Sequence, residues 1–186
     1  SALTGISAGL VNLGTTNVSA ASAITVTLPS AYKKFFVTFG GLQIASGNDL
    51  HPTLQVGISG SISGSSLYNF QGFQYNSQGS GSPIVTREMI NLVNTSSAAL
   101  GQDCLHSANS AKNYNAQLEI DTGTSSSFPI INFNTFFNNG NATDRNGVAS
   151  GRILYRDTTT IDRVQLATSS GGNWAANGSV TVWGLK

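Results

Sequence analysis

Apolar and polar residues alternate along almost the whole of this chain, and turn-forming residues, mostly glycine and asparagine, break the runs before they reach helical length. Successive side chains of a strand point to opposite faces, so this period marks half-buried strands, whereas a helix repeats its apolar residues every three to four positions. Ile24, Val26 and Leu28 alternate with Thr25 and Thr27, and Pro29 closes the run because it cannot donate to a sheet ladder. The same pattern predicts strands over residues 35–39, 54–58, 67–75, 84–93, 116–120, 130–137, 148–155, 164–166 and 180–182. Between them lie tracts such as GISGSISGSS, NSQGSGSP, NNGNATDRNG and SSGGN, where Gly and Asn adopt positive φ at low cost.

Many short strands with this punctuation predict an all-β fold, an antiparallel β-sandwich or jelly roll, and no βαβ spacing argues for a parallel sheet. Residues 1–23 break the pattern. Leu3, Ile6, Leu10, Val11 and Leu13 fit a helix face or an extended stalk, and Gly5, Gly9 and Gly14 weaken the helix. That segment is predicted to be an N-terminal connector or stalk with room for one short strand, followed by a single sandwich domain over 24–186. The GISGSISGSS tract is short and flanked by alternating residues, which favours a hairpin or surface loop over a linker between domains. The last strand, ending in Trp183-Gly184-Leu185-Lys186, must be held by neighbours, because free termini fray.

Only 9% of the 186 residues are charged, against roughly 25% in an average soluble domain, so neutral polar side chains must carry solubility. The net charge is +1 and the longest basic run is Lys33-Lys34, so nucleic acid is not an expected partner. No apolar stretch approaches the roughly 20 residues of a membrane helix, so membrane insertion is not expected. No basic segment followed by an apolar run opens the chain, so no signal peptide is expected, and without an initiator Met it reads as a trimmed or excised piece.

Catalytic and metal chemistry finds little support. Cys104 is the single cysteine and is predicted to be a small buried apolar group. A Cys104/His106 nucleophile pair is conceivable, but nothing marks an oxyanion hole, and Gly57-Ile58-Ser59-Gly60-Ser61 misses the nucleophile-elbow pattern at its last position. No pair among the eight acidic residues is signalled as a glycosidase pair. Glu88 beside Arg87 and Asp162 beside Arg163 read as surface or interface ion pairs. No zinc-ligand spacing exists, and the oxygen-rich stretch 138–147 lacks the acidic density of a calcium loop, so no metal and no cofactor are expected. Four N-x-S/T matches, at Asn17, Asn94, Asn141 and Asn177, are what an Asn/Ser/Thr-rich chain yields by chance.

Aromatics near turns are the remaining candidates for a ligand site. Exposed rings stack on the apolar faces of sugars, while amides and hydroxyls bond to sugar hydroxyls. Trp174 in its Gly/Asn turn, with Asn173 beside it, is the leading candidate, joined by Tyr68 and Tyr75, while Phe70 and Phe73 are expected in the core.

The closing segment VQLATSSGGNWAANGSVTVWGLK, together with LPSAYKKFFVTFGGLQIASGNDLHPTLQVGIS at residues 28–59, resembles the β-sandwich tip domains of tailed-phage virion proteins, tail fibres and receptor-binding proteins. The markers are layout and turn residues, so no functional residue transfers with them. The resemblance implies a homotrimer located in the virion, joined to other virion proteins through its N-terminus and attaching to a bacterial surface glycan or protein receptor without catalysis. A capsid head fibre or decoration protein, a polysaccharide depolymerase fragment and a free-standing bacterial lectin are the alternatives.

Overall fold

The computed structural model describes residues 9–46, 50–77, 85–101, 104–105, 113–138 and 146–185. Its strands are β1 (Leu10–Asn17), β2 (Ala23–Thr27), β3 (Lys34–Leu42), β4 (Pro52–Ile58), β5 (Ser61–Ile62), β6 (Tyr68–Ser77), β7 (Val85–Thr95), β8 (Ala98–Ala99), β9 (Asn113–Asp121), β10 (Ile130–Asn138), β11 (Asn146–Tyr155), β12 (Arg163–Thr168) and β13 (Ser179–Leu185). Among the described residues the helical content is one 3-10 turn, Ser169–Gly171.

Two antiparallel sheets pack face to face as a β-sandwich. The larger has the order β1-β13-β3-β9-β10-β11-β6-β7 and the smaller β2-β12-β4-β5, with β8 also paired to β4. The core between them follows from the alternation. Phe35, Val37 and Phe39 of β3, Leu118 and Ile120 of β9, and Ile131 and Phe133 of β10 point inward against Val26, Leu54, Val56, Val164 and Leu166 of the smaller sheet. Each buried aliphatic or aromatic side chain contributes about 1.5–3 kcal/mol over an exposed one.

Polar tips of buried rings tie the sheets together. The Tyr68 hydroxyl on β6 accepts the Val56 N–H of β4 at 2.7 Å and donates to the Ser63 carbonyl at 3.2 Å. The Tyr155 hydroxyl shares a 2.7 Å bond with Ser63 Oγ. Where β6 and β11 cross the core, Gly72 pairs with Gly151, and a Cβ on Gly151 would collide with the Gln71 carbonyl and lie 2.8 Å from the Phe133 ring. This glycine makes room for the ring.

The expected connector contains the one strand for which it had room. Residues 10–17 pair with β13 from Leu10↔Leu185 to Asn17↔Ser179, so sheet structure begins well before residue 24. The glycine that disfavoured a helix serves a bulge: Gly14 takes φ +139 and its N–H donates to Asn12 Oδ1 at 2.8 Å. As an edge strand β1 buries little, which is why its sequence carries so weak a signature.

Candidate functional site

Trp174 is not at the surface. It is 0% exposed. Its position follows from topology: β12 belongs to the smaller sheet and β13 to the larger, so the Gly/Asn-rich segment between them crosses from one layer to the other. Along the way its backbone is bonded on both sides. Trp174 N–H donates to Ala21 O at 2.8 Å, Ala45 N–H to Asn173 O at 2.7 Å, and Ala175 N–H to Gln43 O at 2.9 Å. The indole drops between the layers, where Nε1–H donates to the Leu166 carbonyl at 3.2 Å and the ring lies 6.3 Å from Tyr114. Asn173 remains exposed at the rim.

Tyr68 is likewise 0% exposed, so neither it nor Trp174 can stack on a sugar. The aromatic run on β6 splits between faces. Tyr68 and Phe70 point into the core, whereas Phe73 and Tyr75 point out, 44% and 42% exposed, their rings 5.3 Å apart. The core expectation therefore holds for Phe70 and is corrected for Phe73. Of the four candidate ligand residues, Asn173 and Tyr75 are accessible, and they lie on different elements.

Five accessible aromatics, Phe36, Phe73, Tyr75, Phe136 and Trp183, converge on another surface, the outer face of the larger sheet. Strand register sets a row across it: Trp183 opposes Phe36, Phe36 opposes Glu119, Glu119 opposes Asn132, Asn132 opposes Arg152 and Arg152 opposes Gln71. The Trp183 and Phe36 rings are 5.7 Å apart at 49°. Two residues along each strand, Thr38, Gln117, Asn134, Ser150 and Phe73 form a second row, and beyond it Asn115, Phe136, Val148 and Tyr75 form a third. Aromatic patches thus flank a polar centre. The side chains of Gln117, Glu119, Asn132, Asn134 and Arg152 make no hydrogen bond or ion pair with another described residue.

Beside the first row lies a cleft of about 470 Å³ lined by Leu10, Lys34, Phe36, Glu119, Ile130 and Arg152, among others. It also contains Asp121, whose carboxylate is 3.9 Å from Lys34 Nζ and accepts the Gly123 N–H at 3.1 Å. Glu119 and Asp121 are two positions apart on β9 and so stand side by side on one face. A second cleft of similar size opens between the edges β1 and β2, lined by Leu13, Thr16, Ile24, Val26, Val180 and Val182 among others.

Cys104 is buried, as its residue type suggested; His106 lies outside the described residues, as do the side chains of Arg87 and Glu88 and most of the stretch 138–147. Asp162 and Arg163 form the ion pair expected of them, at 3.0 Å. Asn17 and Asn94 are exposed, Asn177 is partly covered and Asn141 lies outside the described residues. Among the described residues no group of three or more His, Cys, Asp or Glu side chains is placed to hold a metal ion. No described helix is long and apolar enough to cross a membrane.

The outer-face aromatics were missed because Phe36 and Trp183 sit mid-strand, where a ring is ordinarily core. One signal was available. In FFVTF the odd positions Phe35, Val37 and Phe39 form one apolar face, which leaves Phe36 on the other, with Thr38 as its neighbour. Comparison with protein-family models, with curated proteins and with solved structures found no match, so the site rests on its own geometry.

Proposed function

We propose that this chain is a noncatalytic attachment domain of a phage virion, a tail-fibre or receptor-binding tip, that holds a bacterial surface glycan on the outer face of its larger sheet. The observation that carries the proposal is the set of exposed, unpaired Glu119, Asn132, Asn134 and Arg152 side chains between the Trp183/Phe36 and Phe73/Tyr75/Phe136 patches. Rings supply stacking surface and the polar centre supplies donors and acceptors, which is the pairing sugar recognition requires. Low overall charge limits nonspecific capture by charged polymers. Binding without turnover is the reading the carboxylates favour. Glu119 and Asp121 lie under one side of any bound chain, whereas glycoside hydrolysis needs its two carboxyl groups to flank the scissile bond.

Threefold assembly belongs to the same proposal. The uncharged edge β1 and the cleft beside it are the surface a neighbouring subunit would cover, since long uncharged edges invite pairing. Thr16→Lys, in that cleft, should lower the mass measured by light scattering; an unchanged mass would place the contact elsewhere. A head fibre or decoration protein would use the same fold at another location in the virion.

The test is adhesion of the purified chain to host cells, with Phe36→Ala and Trp183→Ala as variants. Loss of adhesion in both, with no shortened oligosaccharides released from host polysaccharide, is expected. Undiminished adhesion in both variants would remove the outer face from the account, and released oligosaccharides would make the protein a depolymerase.

A further inference from the structure

On the reading that the outer face binds glycan, we infer that its ligand is the interior of a neutral, linear polysaccharide lying across the strands along the row from Trp183 to Gln71. Three observations set the ligand class.

The first is charge. Glu119 and Arg152 flank Asn132, one on each side, and neither has an ion-pair or hydrogen-bond partner among the described residues. The remaining charges of the adjoining cleft, Lys34 and Asp121, neutralise each other. A polyanion would gain at Arg152 and lose at Glu119, and a polycation would do the reverse. Hydroxyl groups satisfy both, because a carboxylate only accepts, a guanidinium only donates and the amide between them does each.

The second is spacing. Neighbouring strands lie about 4.8 Å apart, so a chain running perpendicular to them meets a new side chain every 4.8 Å or so, close to the length of one pyranose ring. From Trp183 to Gln71 the row crosses five such steps, about 24 Å, which accommodates about five rings. Trp183 and Phe36 would stack beneath one ring while Glu119, Asn132 and Arg152 bond to its successors.

The third is the shape of the row's ends. Glu119, Asn132, Arg152 and Gln71 are all exposed on a continuous sheet surface. Beyond Gln71, strand β7 continues the sheet, and beyond Trp183, strand β1 does. Nothing among these residues closes the row into a pocket for a chain terminus, so the site suits internal segments.

The test is calorimetric titration of the intact chain with a neutral β-glucan, a neutral galactan, alginate as the acidic polymer, and neutral oligosaccharides of increasing length. Binding to a neutral polymer should change by less than about twofold between low and high salt, because no net charge is neutralised. Affinity should climb with length and level off near about five rings, the number the row spans. Arg152→Ala and Glu119→Ala should each weaken binding by about tenfold, since each leaves ligand hydroxyls unpaired in contact with protein. Tighter, salt-sensitive binding of alginate would overturn the neutral class, and a monosaccharide that binds as well as the polymer would overturn the internal mode; the glycan-binding reading survives either result. Failure of every saccharide to bind overturns both. Sedimentation of the wild type and Arg152→Ala covers a remaining occupant: a lower mass in the variant would make this face a contact between copies of the chain and overturn the inference.

Discussion

Trp174 and Trp183, the two tryptophans of the chain, sit on either side of the larger sheet's end, and their surroundings are opposite in kind. Trp174 comes from a glycine-rich crossing, yet no part of it reaches solvent and its indole N–H bonds to the Leu166 carbonyl. Trp183 comes from the middle of a regular strand, yet it lies half-buried on the outer face beside Phe36. The contrast shows that layer topology decides the fate of a ring more strongly than local composition does. A segment that must pass between two sheets carries its large side chain into the gap it spans. A strand shared between core and solvent keeps every second side chain outside, however apolar.

The largest expected effect breaks the comparison on its buried side. Trp174→Ala should cost about 3–5 kcal/mol of stability in urea unfolding, as for other large-to-small core changes. A change below about 1 kcal/mol would mean the ring is not packed as described. Tyr68→Phe is a finer cut into the same interior. It leaves the buried Val56 N–H without its acceptor and should cost about 1–3 kcal/mol, the penalty for an unsatisfied buried donor. A variant as stable as the wild type would show that the hydroxyl does not link the sheets.

The interior also predicts a pH response. Burial holds the Tyr68 and Tyr114 hydroxyls above the ordinary tyrosine value of 10.0; the Val56 bond opposes that at Tyr68, and the neighbouring Cys104 thiol adds to it at Tyr114. Below pH 10 both groups are protonated whether the chain is folded or not, so they leave stability unchanged. Above it the unfolded chain releases protons that the folded chain keeps, so stability should fall as pH rises beyond the ordinary value towards the folded ones. Absorbance at 295 nm should show these two tyrosines ionising only together with unfolding. Their titration in a chain that keeps its folded circular dichroism would contradict the burial.

The smallest effect on stability lies on the outer side. Trp183→Ala should change unfolding by about 1 kcal/mol or less while weakening glycan attachment about tenfold, as loss of a contact aromatic does. Equal losses in both quantities would erase the distinction between the two rings.

Much of the architecture was legible. Alternation placed a strand wherever a buried face enforces the period, from β2 to β13, because one face must be apolar and the other need not be. It faded at β1, an edge strand with little to bury, and at the two-residue strands β5 and β8, too short to show any period. The site was less legible. Tyr68 and Tyr75 belong to one aromatic run, and nothing in the run says which of its two faces meets the second sheet. Phe36 lies far in sequence from Glu119, Asn132 and Arg152, which belong to three consecutive strands, and only antiparallel register brings the four into a row.

The most direct test of the two-faced account is iodide quenching of tryptophan fluorescence in Trp174→Phe and Trp183→Phe, with and without bound polysaccharide. The account predicts that the quenchable emission survives in Trp174→Phe, disappears in Trp183→Phe, and is shielded when glycan occupies the outer face. Quenchable emission that persists in Trp183→Phe, or that glycan leaves untouched in the wild type, would contradict it.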